Sequence, residues 1–148
     1  CIAIAGMGAS TIISILEDDT EVAQSAELLV LQPMAGAASL RAWLCSHGWQ
    51  LAAEELVDDA PHFYEIIAAK RGLAPVYSAA ECAVGPLLLA QKHPLLGKQL
   101  ERQLATCRQL LENMGRSERA RASEKYKEIE ALKAELEVLQ NGKRSDSK

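Results

Sequence analysis

Two short glycine-containing segments each follow an apolar run, and a ligand could pack directly against their backbone. Residues 6–8 (Gly-Met-Gly) follow the apolar residues 2–5, and residues 32–36 (Gln-Pro-Met-Ala-Gly) follow the apolar residues 28–31. Glycine leaves no side chain between backbone and ligand, and open α/β sheets bind ligands beyond the carboxyl ends of their strands. The Gln32 amide can also hydrogen-bond the edge of a base or a cofactor. Each segment also has a purely structural interpretation. Residues 6–8 could be a tight strand-to-helix turn, and residues 32–36 could simply end a strand.

The other chemistry-bearing residues exclude several classes of site. The cysteines are irregularly spaced and form no CxxC pair, and the three histidines lack the spacing of metal ligands. We therefore predict no metal, no disulfide framework and reduced thiols in a cytoplasmic protein. No Ser/His/Asp or Cys/His arrangement indicates nucleophilic catalysis. No apolar run approaches the ~20 residues that span a bilayer, so no membrane partner is expected. The cysteines are Cys1, Cys45, Cys82 and Cys107.

Charge is unevenly distributed along the 148 residues. Residues 1–94 carry a formal charge of −7 and residues 95–148 carry +3, which together give the −4 of the whole chain. Residues 95–148 contain a cluster of basic residues, and such a cluster can bind the phosphates of a nucleic acid. Glutamates are interspersed in it, however, which is also typical of a solvated helix face. The cluster consists of Arg116, Arg119, Arg121, Lys125 and Lys127.

The hydrophobic pattern predicts part of an α/β sheet followed by a helical hairpin. The order strand, helix, strand, helix over residues 2–48 indicates parallel strands joined by right-handed crossovers. Residues 49–57 and 62–70 are two extended segments without a helix between them, which predicts an antiparallel hairpin at the end of the sheet. Apolar residues then recur every three or four positions over residues 95–114 and 117–140, which predicts two amphipathic helices, the second with coiled-coil spacing.

Local signals mark the ends of the helical segments. Ser78 and Glu81 fit a capping box, so a helix is predicted to begin there. Gly115 is predicted to end the first long helix, and residues 141–142 (Asn-Gly) the second. Residues 143–148 are then predicted to be a disordered tail.

Several segments, taken in order, resemble one protein family. Their order and spacing are similar to those of the bacterial tRNA (adenine-22-N1)-methyltransferases of the TrmK type, and the resemblance extends from Ile2 to about Gln140. The segments are residues 4–8 (IAGMG), 29–33 (LVLQP) with Gly36, 40–44 (LRAWL), 48–49 (GW), 63–67 (FYEII) and 85–89 (GPLLL).

This resemblance implies a fold, a reaction and a cofactor. The fold would be the C-terminal half of a class I, Rossmann-like S-adenosyl-L-methionine (SAM) methyltransferase sheet over residues 1–74, with an antiparallel, inserted last strand. A helical, coiled-coil-like tRNA-binding domain would follow over residues 75–142. The enzyme would use SAM to methylate adenine N1 in the D-arm region of tRNA.

The resemblance also assigns roles to particular residues. Methyl-donor binding would fall to Gly6, Met7 and Gly8, and Ala9 stands where the family usually has a further glycine. The family's glycine-rich SAM loop, its ribose-binding acid and its catalytic acid would all precede Cys1, so we expect a fragment that is inactive alone and whose catalytic residue is not assigned. Contacts with tRNA would come from Gln32, Pro33, Arg116, Arg119, Arg121 and Lys125.

Two other classes of function remain open. One is a non-catalytic RNA- or protein-binding module in which the helical hairpin is the working part. The other is a class I methyltransferase that acts on a small molecule or a protein. A glycine-rich loop and an acidic residue encoded upstream of Cys1 would favour the enzyme. Salt-sensitive tRNA binding by residues 78–148 would favour tRNA over a small molecule as the substrate.

Overall fold

A computed structural model describes the backbone of residues 1–146 and the side chains of residues 1–142. The chain divides into two compact units, Cys1–Lys92 and His93–Lys148. The first unit contains a β-sheet with its helices, and the second contains a pair of long helices.

The strands of the first unit form one four-stranded sheet within residues 1–146, in the order β1-β2-β4-β3. β1 and β2 are parallel, and β4 runs antiparallel to both of its neighbours, β2 and β3. The last strand is therefore inserted between the two before it, which confirms the predicted Rossmann-like sheet with an inserted antiparallel strand. The strands are β1 (Ile2–Met7), β2 (Leu28–Pro33), β3 (Trp49–Asp59) and β4 (His62–Arg71).

Two helices of the first unit, α1 (Ala9–Asp18) and α3 (Ala37–Ser46), each bury one apolar stripe in the core beside the sheet. In α1, Ile12 and Leu16 are buried, and in α3, Leu40 and Leu44 are buried; each pair is four residues apart and so lies on one helical face. Full burial of one such side chain stabilises the fold by about 1.5–3 kcal/mol. The helices are α1 (Ala9–Asp18), α2 (Thr20–Ser25), α3 (Ala37–Ser46), α4 (Ala79–Val84) and α5 (Pro86–Ala90).

The boundary between the units lies further along the chain than the sequence suggested. The predicted boundary followed residue 74, whereas the first compact unit ends at Lys92. The predicted capping box is confirmed, since Ser78 Oγ accepts from the Glu81 N–H and the Glu81 carboxylate accepts from the Ser78 N–H. The two short helices that follow contact α3 and β3, so they belong with the sheet.

The second unit is a helical hairpin built from α6 (Leu96–Met114), α7 (Glu118–Arg121) and α8 (Glu124–Asp146). The two long helices pack against each other. Their apolar stripes supply the buried apolar residues of this unit, as expected for amphipathic helices. These residues are Leu96, Leu100, Leu104 and Cys107 on α6 and Ile129 and Leu136 on α8.

Two features of the hairpin differ from the sequence expectation. The single helix predicted over residues 117–140 begins as two helices because two serines cap in succession: Ser117 Oγ accepts from the Ala120 N–H, and Ser123 Oγ accepts from the Tyr126 N–H. At the other end, α8 continues to Asp146, past the glycine predicted to end it. The predicted tail therefore begins as helix, and its residues 147–148 lie outside the described part.

Two kinds of feature are absent from the described residues. None of their helices has both the length and the apolar character needed to cross a membrane. No group of three or more His, Cys, Asp or Glu residues among them could hold a metal ion.

Candidate functional site

Both glycine-containing segments lie at the edge of the sheet formed by the carboxyl ends of β1 and β2. Two backbone hydrogen bonds join them: the Met34 N–H donates to the Met7 carbonyl oxygen at 2.8 Å, and the Ala9 N–H donates to the Ala35 carbonyl oxygen at 2.9 Å. Parallel strands bring their carboxyl ends to one edge, so the loops meet there although they are far apart in sequence. The structure thus brings together the two segments that the sequence singled out.

The side chain of Gln32 connects the two strand ends. Its Oε1 accepts from the Gly6 N–H at 3.0 Å, and its Nε2 lies 3.3 Å from both the Pro33 carbonyl oxygen and the Met34 sulfur. Gly6 has a φ of 77°, a left-handed conformation that favours glycine. The amide of Gln32 therefore caps and positions the Gly6 loop, which is the structural role that the sequence left open, and Pro33 is buried at the strand end.

The hydrogen bond from Gly6 predicts a measurable contribution of Gln32 to stability. Gln32→Leu removes the acceptor of the Gly6 N–H and should lower the free energy of unfolding by about 0.5–1.5 kcal/mol, measured by urea denaturation. Gln109→Leu, at an exposed position on α6, is the matched control. Equal unfolding free energies for the two variants would show that the Gln32 contact contributes nothing.

An open cavity of about 300 Å³ lies beside the joined loops. Its wall includes Gly8 and Ser10 at the start of α1, together with Gly36 and Ser39 at the start of α3. A Cβ atom built on Gly6 or Gly8 would meet no atom of the described residues within 4 Å. The backbone on this side of the loop is therefore accessible, which suits a ligand that packs directly against the peptide groups.

Ala9 occupies the position where the resemblance led us to expect a glycine. Its side chain is buried, and its Cβ lies only 3.0 Å from the place where a Cβ on Gly36 would stand. Gly36 also has a φ of 78°. The Ala9 methyl group therefore fills the space beside Gly36, and a side chain at position 36 would be excluded both by this contact and by the backbone conformation.

A buried charge cluster supports the sheet next to this edge, and its residues are not among the site residues predicted from the sequence. The Arg41 guanidinium is fully buried and donates from Nε to Glu54 Oε1 at 2.5 Å and from Nη2 to Glu65 Oε1 at 3.1 Å. Its Nη1 donates to the Cys82 carbonyl oxygen at 2.8 Å. These bonds join α3, β3, β4 and α4. A buried guanidinium needs such partners, because an unpaired buried charge costs several kcal/mol, roughly 3–5 when one partner is removed.

The turn between α4 and α5 closes over this cluster. The second oxygen of Glu54 accepts from the Leu87 N–H at 2.9 Å. Gly85 has a φ of 118°, and a Cβ on it would lie 3.1 Å from both Arg41 Nη2 and Glu54 Oε2, and 2.6 Å from a Leu88 methyl carbon. Three segments that carried the family resemblance, residues 40–44, 63–67 and 85–89, thus converge on one structural cluster.

Glu65 is a partly buried carboxylate and not a solvated one. Strand alternation places it on the same face as Ile67, which is fully buried. Its side chain is only 13% exposed and pairs with Arg41.

Burial, and then the neighbouring Cys45, raises the pKa of the Cys82 thiol. That thiol therefore stays neutral at physiological pH and does not compete with the carboxylates for the arginine.

The predicted basic residues lie around α7 in the second unit. Arg116, Arg119, Arg121 and Lys125 are all exposed. Within residues 1–142, whose side chains are described, none of these four forms an ion pair, whereas Lys127 lies 3.5 Å from Glu124. The cluster is thus available for contacts with a polyanion. It belongs to a different unit from the Gly6 edge.

A family model matches most of the chain. The model described as TrmK, tRNA (adenine(22)-N(1))-methyltransferase, matches residues 1–141. A curated protein of Bacillus subtilis with the same description is 27% identical over 143 residues, which cover 93% of this chain and 59% of that protein. This chain therefore spans about three fifths of the curated relative's length.

Solved structures show the same architecture. A Streptococcus agalactiae protein of the NADB-Rossmann superfamily superposes with a TM-score of 0.78 at 26% identity, covering 94% of this chain and 59% of that one. The Streptococcus pneumoniae protein Sp1610, crystallised in complex with S-adenosyl-L-methionine, gives a TM-score of 0.74 at 27% identity, covering 94% of this chain and 59% of that one.

Proposed function

The chain belongs to the TrmK family of tRNA (adenine(22)-N(1))-methyltransferases, and we propose that the full-length protein methylates N1 of adenine 22 in tRNA with SAM as the methyl donor. The observation that carries the proposal is the strand-end edge, where two loops are joined by hydrogen bonds beside an open cavity. Ligands of Rossmann-like sheets bind at this edge. The solved relative that contains SAM supports the choice of cofactor.

The residues of this edge fit part of a methyl-donor site. Accessible backbone at Gly6 and Gly8 lets a ligand approach the peptide groups, and Met7 places a 40% exposed apolar side chain between them. SAM, when bound, would supply an electrophilic methyl group on a sulfonium sulfur. On this proposal Gly6, Met7 and Gly8 form one wall of its site, and Gln32 holds that wall in position.

The chemistry at adenine requires positioning more than proton transfer. Neutral adenine carries a lone pair on N1, so the attack on a methyl group needs no strong general base. Most of the acceleration would come from holding the base and the methyl group near contact distance. A base within a stacked or paired region must first leave it, at a cost of about a few kcal/mol. The loop at Met7 is held by the hydrogen bonds of Gly6 to Gln32 and of Met34 to Met7, and its exposed Met7 side chain is suited to receive a base in this way.

The basic residues around α7 would contact the tRNA. Arginine and lysine recognise phosphates and shape without reading sequence, which is how most proteins bind structured RNA. Five cations lie between residues 116 and 127, against two glutamates. We therefore assign Arg116, Arg119, Arg121 and Lys125 to phosphate binding.

Methyl transfer to tRNA tests the proposal. The full-length protein and SAM should convert adenine 22 to N1-methyladenosine, detected as a stop in primer extension because the methyl group blocks the pairing edge. A tRNA with guanine at position 22 is the matched substrate control and should give no stop there. Methylation of both tRNAs at other positions, or of neither, would refute the assignment. Saturable tRNA binding without methylation would instead support the non-catalytic module.

The salt dependence of tRNA binding tests the role of the basic cluster. The double variant Arg119→Ala/Arg121→Ala should weaken binding about tenfold and reduce the slope of log Kd against log salt by about two, since two phosphate contacts are lost. Lys133→Ala is the control, because it removes one charge from α8 at a residue paired with Glu137 at 3.3 Å. If the double variant keeps the slope of the unaltered protein, the cluster does not bind phosphates.

A further inference from the structure

A second cavity lies at the opposite end of the sheet from the candidate methyl-donor site. Its volume is about 150 Å³. Trp49 at the start of β3 and Arg71 at the end of β4 are paired across the strands and lie at this end. The wall is completed by residues of α1, α2 and the end of α3, among them Glu17, Gln24, Trp43 and His47.

Aromatic and guanidinium planes form two sides of the cavity. The rings of Trp43 and His47 stack with their centroids 4.3 Å apart and an interplanar angle of 14°. The Arg71 guanidinium lies 4.0 Å from the centre of the Trp49 ring and also donates to the Ala23 carbonyl oxygen at 2.9 Å. These contacts hold the planes in place before any ligand arrives. Such surfaces favour planar rings, because stacking is worth about 1–3 kcal/mol per base in nucleic-acid-binding proteins.

Several polar groups at the cavity retain unused hydrogen-bonding capacity. His47 Nδ1 lies 2.8 Å from the Trp43 carbonyl oxygen, which makes this nitrogen the donor and leaves Nε2 as an acceptor in the neutral ring. Within residues 1–142, no hydrogen bond uses His47 Nε2 or the side-chain amide of Gln24. An open cavity of roughly 150 Å³ can take in one six-membered aromatic ring, so the second ring of a purine and the sugar of a nucleoside would lie outside it. The site therefore combines flat walls, limited room and polar groups for the edge of a heterocycle.

The charges around the cavity disfavour a phosphate. Glu17 accepts from Trp43 Nε1 at 3.0 Å, and three further acidic residues follow closely along the chain. Arg71 is the arginine that lines the cavity. The neighbouring Lys70 points to the other face of the sheet, because side chains alternate along a strand. The nearby acids are Asp18, Asp19 and Glu21.

We propose that this cavity binds one aromatic ring of an uncharged nucleobase or nucleoside, which stacks on the Trp43/His47 pair and on the Arg71 guanidinium that covers the Trp49 ring, and hydrogen-bonds to Gln24 and His47. The ligand arrives free and not as part of a phosphodiester chain, because the Glu17 carboxylate lines the cavity and repels phosphates. The site is separate from the methyl-donor edge and does not depend on the proposed function.

Intrinsic fluorescence can test this proposal, because both tryptophans of the chain line the cavity. Titration of the 148-residue chain with adenosine should change the tryptophan emission saturably, with a Kd on the order of 1 mM or below. Gln24→Ala should weaken this binding about fivefold, the effect of one lost hydrogen bond. Adenosine monophosphate should bind about tenfold more weakly than adenosine at low salt.

Two controls separate the cavity from other sites. Ser39→Ala alters the cavity beside the Gly6 loop and should leave adenosine binding unchanged. Gln109→Ala removes an exposed glutamine from α6 and should also have no effect. The proposal is overturned if emission does not saturate, if Ser39→Ala weakens binding as much as Gln24→Ala, or if an oligoadenylate binds more tightly than adenosine.

Discussion

On the proposed function, replacement of Gly6 by valine is expected to lower methyl transfer by the full-length protein about a hundredfold, as a displacement near 1 Å in an active site can do. Gly6 has a φ of 77°, which a β-branched residue adopts only under strain. Valine would push the loop out of this conformation and break the hydrogen bond from the Gly6 N–H to Gln32. It would also place a side chain in the open space beside the loop. The measurement is the initial rate of tRNA methylation at saturating SAM.

Gly48→Val is the matched control for this effect. Gly48 has a φ of 81°, and a Cβ on it would also meet no described atom within 4 Å, so the same backbone strain is introduced. Gly48 lies in the turn before β3, at the other end of the sheet. Both variants should lose stability by about 1–2 kcal/mol, but only Gly6→Val should lose most of its activity. Equal methylation rates for the two variants would show that the Gly6 loop is not part of the active site.

Replacement of Arg41 by methionine is expected to lower the free energy of unfolding by about 3–5 kcal/mol. Methionine keeps an unbranched apolar side chain but carries no charge, so the Glu54 and Glu65 carboxylates would lose the guanidinium that neutralises them in a buried position. The Cys82 carbonyl oxygen would lose its donor as well. A loss of this size is a large part of the ~5–15 kcal/mol by which domains are stable. Urea denaturation followed by circular dichroism measures it.

A second arginine-to-methionine variant controls for the loss of charge alone. Arg108 is exposed on α6, and Arg108→Met should change the free energy of unfolding by no more than about 0.5 kcal/mol. The double variant Arg41→Met/Glu54→Leu should be less destabilised than the sum of its single variants, because it also removes one of the unpaired carboxylates. If Arg41→Met is as stable as Arg108→Met, the buried cluster does not hold the helices on the sheet.

The buried cluster shows why part of the structure could not be predicted from local patterns. Helical spacing places Arg41 on the same face as Ala37 and Leu44, both buried, and this is the signal that could have identified it. On β3, alternation from Leu51 would place Ala53 inward. A bulge between Leu51 and Ala53 shifts the register and turns Glu54 inward instead.

The amino-acid sequence by itself determined the kind of each main element and the edge at which the candidate site lies. Periodicity and glycine position are local properties, and they predicted the order strand, helix, strand, helix over residues 2–48 and the glycines at the strand ends. The order of the motifs identified the protein family, and membership of that family predicted the inserted strand. Only the tertiary structure decided that Gln32 caps the Gly6 loop and that Arg41 joins two glutamates. These contacts link residues 13 to 26 positions apart, and no local spacing encodes such distances.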